Sequence, residues 1–150
     1  MKKIPAFLFG VLLVLMAIIS SCSKSSDNTT DPRTQFLGKW AGSRSFVFPQ
    51  YTILNNTAAD TITITSVTGS SNQISISNSK YTATATVSGN AYTYNQYETT
   101  ATYNNVAYTF TVNGSNTISG STLQGSGTFS VTWPPTGSTT GTWTTSLTKQ

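Results

Sequence analysis

An all-β domain is what this 150-residue sequence predicts. Three observations lead there. From Phe36 onward, apolar and aromatic residues alternate with Thr, Ser and Asn, the period-two pattern of strands with one buried face. The alternating runs are short and separated by Gly, Asn, Ser and Pro clusters about every 8–12 residues, the rhythm of antiparallel sandwiches and barrels. No run beyond Cys22 carries the helical period. Charged residues make up only 8% of the chain, a value that also suits disorder, but aromatics reach 11% and the β-branched content is high.

The chain opens differently. Lys2 and Lys3 precede an uncharged, largely aliphatic run from Ile4 to Ile19. A basic start, an apolar stretch and small residues at its end have the layout of a secretory leader. The apolar run is shorter than the roughly 20 residues a membrane-spanning helix needs. Two of the eight basic residues would leave with the leader, so six remain against four acidic ones. The six are scattered, with no run to follow a phosphate backbone, so nucleic acid is not an expected partner. Residues 22–33 are small and polar and read as a flexible tether, leaving residues 34–150 for one domain.

Within that domain Trp40, Gly42, Arg44, Phe46 and Phe48 share one face of a first strand, followed by a loop from Pro49 to Asn56. Ile62 and Ile64 mark a second strand, Ile74 and Ile76 a third, and Tyr81, Ala83, Ala85 and Val87 a fourth. Tyr92 and Tyr94 begin a fifth, and Tyr103 to Val112 supplies a sixth. Asn113-Gly114 is a strong hairpin signal and predicts a turn before a short seventh strand at Ile118. Leu123 to Trp133 forms an eighth, Pro134-Pro135 breaks it, and Trp143, Thr145 and Leu147 carry a ninth.

Ile19-Ser20-Ser21-Cys22 resembles the lipobox of bacterial lipoproteins: an aliphatic residue, two small ones, then cysteine. The resemblance implies cleavage before Cys22 and acyl chains, palmitate among them, on that residue, the chain's only cysteine. Several acyl chains hold a protein firmly at a membrane. Ser23 is not the Asp with which such proteins are retained at the inner membrane, so the resemblance implies an outer-membrane lipoprotein of a Gram-negative envelope.

Phe36-Leu37-Gly38-Lys39-Trp40 is similar to the Gly-x-Trp opening of lipocalin-like barrels. That resemblance implies a closed meander in which Trp40 plugs one end under a basic residue, Lys149 from the last strand or Arg44 from the first. A β-sandwich is the alternative.

The sequence is poor in groups for chemistry. It has no His, and Asp60 and Glu98 are the only carboxylates beyond Asp27 and Asp31 of the tether. A glycosidase needs two carboxylates facing one bond. The placement of these two, each beside a turn, reads instead as solvated surface. No metal or cofactor site emerges, and a non-enzyme is expected. Tyr92, Tyr94, Tyr97, Tyr103, Tyr108 and Trp133 offer flat apolar faces with polar tips, suited to sugars or amphipathic molecules. Three functions are therefore open. The barrel would bind a small or amphipathic ligand, an exposed Tyr patch would grip a glycan or another protein, or the protein would be purely structural.

Overall fold

The computed structural model describes residues 30–150; the leader, Cys22 and most of the expected tether lie outside them. Nine strands follow in order: β1 Gly38–Val47, β2 Asn56–Ser66, β3 Gln73–Ser77, β4 Thr82–Ser88, β5 Ala91–Tyr94, β6 Tyr97–Tyr103, β7 Val106–Ser119, β8 Thr122–Trp133 and β9 Gly137–Lys149. Every strand pairing is antiparallel, in the order β5-β4-β3-β2-β1-β9-β8-β7-β6, and β5 also pairs with β7. That last pairing joins the ends of the sheet, so eight strands close into a meander barrel with β6 as an extra strand. The fold is the expected all-β barrel and not the sandwich.

Closure follows from the alternation itself. The residues of even number on β1, β2 and β3 and of odd number on β4, β8 and β9 face inward, and the core runs through Trp40, Ile62, Ile64, Ile74, Ile76, Ala83, Ala85, Leu123, Phe129, Trp143 and Leu147. At roughly 25 cal/mol per Å² of apolar area removed from water, these side chains carry most of the favourable free energy of folding.

Two sequence expectations are corrected on β5–β7. Asn113-Gly114 makes no hairpin; β7 passes straight through it, pairing Asn113 with Thr128 and Gly114 with Gly127. The sharp turn is Asn104-Asn105, where both residues take positive φ (49° and 60°), the backbone that a two-residue hairpin loop requires. The strand before that turn, β6, was not expected at all. It prolongs β5 along β7: Thr93 faces Ser115 and Tyr97 faces Val112, so four steps on one side meet three on the other. The extra residue is a β-bulge, and it bends β6 away from β4.

One end of the barrel is sealed. Phe36 and Trp40 are wholly buried there, and Trp40 donates its indole N–H to the Phe36 carbonyl at 2.7 Å. Phe36 meets Tyr92 edge-on, with ring centres 5.4 Å apart. The Lys149 ammonium stands 5.4 Å from the Trp40 ring centre and donates to the Gln35 carbonyl at 3.1 Å. Residues at the end of the expected tether also dock at this end. Asp31 pairs with Arg33 at 2.6 Å, and the Arg33 guanidinium donates to the carbonyls of Val67 and Ser70 in the β2–β3 turn. Every strand and the whole described core lie within residues 31–150, so this part of the chain is a self-contained body.

Candidate ligand cup

The opposite end of the barrel is hollow. β2 pairs with β3 only over Thr63–Ser66, and β6 pairs only with β7. Above the Asn78–Tyr81 turn the wall between β2 and β6 is therefore made by side chains instead of ladder hydrogen bonds. Tyr97 stacks on Tyr81 (5.2 Å, 22°), and Thr99 Oγ1 reaches the Lys80 carbonyl at 3.5 Å. Inside lies an open cavity of about 740 Å³, bounded by Phe46, Phe48, Phe110, Phe129 and Trp143 on one side and by Ala58, Tyr81, Tyr97 and Ala101 on the other. The Phe48 and Phe46 rings both meet Phe129 edge-on, at 4.9 and 5.7 Å.

At the base of this cup sits an ion pair. Arg44 comes inward from β1 and Asp60 from β2, and Arg44 Nη2 lies 2.8 Å from Asp60 Oδ2. Their side chains are only 7% and 11% exposed. Nη2 also donates to the Tyr81 hydroxyl at 2.9 Å, while Asn78 Nδ2 donates to Asp60 Oδ1 at 3.2 Å. Nε of Arg44 has no hydrogen-bond partner, and Asp60 Oδ2 is in ionic contact with Nη2 without hydrogen-bond geometry. The rings of Tyr81 and Trp143 lie 5.5 and 5.4 Å from the guanidinium carbon, a cation–π setting. Burial opposes the charge on Arg44, but Tyr81, Tyr94 and Asp60 outweigh it and hold its pKa above the ordinary value. The Tyr81 and Tyr97 phenols are pushed up, first by burial and next by a neighbouring tyrosine.

The residues singled out in the sequence divide by layer. Tyr97 lines the cup. Tyr92 and Tyr94 are buried below it, in edge-on contact with each other at 5.6 Å, and their hydroxyls have no hydrogen-bond partner. Tyr108 and Trp133 form a tilted pair, 5.8 Å apart, towards the rim. Tyr103 is 68% exposed on the β6–β7 turn. The tyrosines thus run as an inward column and make no surface patch; Tyr51 and Tyr103 are the exposed ones among the described residues. Trp40 and Lys149 meet at the floor, whereas Arg44 stands above them in the cup, away from the floor role that the resemblance also offered it.

Asp60 is likewise not a solvated turn acid but the interior partner of Arg44. Glu98 faces outward and accepts from Thr111 Oγ1 at 3.3 Å. The inward parity of Asp60, which matches that of Ile62 and Ile64, was the available signal for the pair.

No protein-family model and no curated protein matches the chain. Among solved structures it is similar to the crystal structure of a protein of unknown function from the DUF3598 family of Nostoc punctiforme, with 14% identity and a TM-score of 0.42. The likeness covers 75% of this chain and 47% of that one, so the chain spans about half that protein's length.

Proposed function

We propose that this protein is a lipid-anchored, non-enzymatic envelope protein that holds a small amphipathic molecule in the cup of its barrel. The observation that carries the reading is the cavity of about 740 Å³, with aromatic rings on its walls and the Arg44–Asp60 pair at its base. Ligand sites of about 300–1,000 Å³ are typically built this way, apolar for affinity with a few polar groups for orientation. Seven aromatic rings pack around the space without filling it, whereas a core built for stability alone is close-packed.

The anchor belongs to the same reading. Cys22, in its lipobox-like setting, would tie the barrel to the outer membrane. Replacing Cys22 with Ser should move the protein from the membrane fraction to the soluble one, and unchanged partition would remove the anchor.

Binding is tested on residues 30–150 by fluorescence titration and thermal shift with a panel of single-chain amphiphiles. Trp143 borders the cup, so occupancy should change its emission. Ala58→Trp, placed beside Arg44 on the neighbouring strand, should fill the space and abolish the response. A panel that neither shifts the melting temperature nor changes emission would defeat the carrier reading.

A further inference from the structure

The walls of the cup suit almost any apolar body; its base is more selective. Arg44 and Lys80 both border the cavity, against the single carboxylate of Asp60. One formal positive charge is left over among the groups that border the space, Arg44 being paired with Asp60 and Lys80 being exposed. The hydrogen-bonding capacity is unbalanced in the same direction. Nε of Arg44 is buried with no partner, although the residue is only 6% exposed. The Tyr81 hydroxyl accepts from Arg44 Nη2 and keeps its own proton to give. Asp60 is engaged on both oxygens, by Asn78 and by Arg44.

Donors of Arg44 and Tyr81 are therefore unspent at the base of the cup. A buried donor without a partner is costly, and a charged donor makes its strongest and most directional bonds with an oxyanion. An alcohol or amide is a weaker match, and a cation is repelled.

We propose that the cup takes its ligand by an anionic group, a carboxylate or sulfonate, seated at the Arg44 guanidinium and the Tyr81 hydroxyl. The apolar body then extends along Phe46, Phe48, Phe110 and Phe129 towards the mouth. The inference rests on the carrier reading above and specifies its ligand class. Lys80, at the rim of the same space, draws the anion in without fixing its geometry. Asp60 keeps Arg44 oriented, so the ligand meets a guanidinium already held in place.

The test compares three probes with the same twelve-carbon tail on residues 30–150: dodecanoate, dodecanol and dodecyltrimethylammonium, below their micellar concentrations, read by tryptophan fluorescence. Dodecanoate should bind at least about tenfold tighter than either of the others, the range expected of a charge-assisted hydrogen bond. In the double variant Arg44→Met/Asp60→Asn, which removes the pair without leaving a lone buried charge, the preference should fall below about threefold. Equal binding of dodecanoate and dodecanol, preference for the cation, or a preference retained in the double variant would overturn the anion assignment while leaving a carrier. If none of the three binds, the carrier reading fails as well. The comparison among probes needs only the unaltered sequence, so it stands even if the variant does not fold.

Discussion

Trp143 donates its indole Nε1–H to the main-chain carbonyl of Asn113, 2.9 Å away and two strands across the barrel wall. The ring reaches β7 from β9 because the intervening positions are bare. Gly127 faces Trp143 on β8, Gly114 faces Gly127 on β7, and a Cβ on either glycine would overlap the indole. Gly127→Ala should destabilise the barrel by about 1–3 kcal/mol, as overpacked cores do, and shift Trp143 emission. Urea unfolding read by fluorescence checks both, and an Ala tolerated without loss would mean that the indole has room to move.

The floor should be apolar in energetics and only lightly electrostatic. Trp40→Ala removes a wholly buried indole and should cost about 3–5 kcal/mol. Lys149→Met keeps most of the covering stem and should cost about 1 kcal/mol or less, the scale of an exposed cation–π contact. Denaturant midpoints of the two variants give the ratio directly.

Arg44 and Asp60 should be strongly coupled. Arg44→Met alone strands a carboxylate that is mostly buried. The loss should be about 3 kcal/mol, at the low end for buried pairs because the cup admits solvent. Asp60→Asn alone should also destabilise, and the double variant should recover part of the sum. A double-mutant cycle in urea measures the coupling; strict additivity would show that the pair acts as two independent groups.

The inward tyrosines set the alkaline limit. Tyr81, Tyr92, Tyr94 and Tyr97 have pKa values raised above the ordinary 10.0, burial being the largest cause for each. The unfolded chain therefore releases these protons at a lower pH than the folded barrel does. Their contribution to stability is fully present below pH 10 and is lost as pH rises from the unfolded value through the folded ones. Absorbance titration near 295 nm should show these four ionising late and together with unfolding. Their early, reversible ionisation in a folded barrel would contradict the burial.

Strand existence was legible because period two holds at nearly every inward position, from Trp40 through Leu147. What misled was Asn113-Gly114, whose usual meaning is a tight turn; here the glycine clears space for an indole that arrives from β9, thirty residues later. That is a tertiary demand invisible to a local reading. β6 escaped notice for the opposite reason. Its Thr and Ala residues show little contrast between faces, since one side borders an open cup and the other solvent. The cup itself was half legible: the tyrosines pointed to it. Its polar base depends on strand register, which places Arg44 opposite Ala58 and Asp60 opposite Gly42, and no spacing along the chain announces that.

The chain enters at the floor, where Arg33 and Phe36 are docked, while the mouth lies at the far end of the strands. The proposed acyl anchor on Cys22 would therefore join the barrel on its closed side and leave the mouth unobstructed. Cargo could then enter and leave the cup without passing the point of attachment.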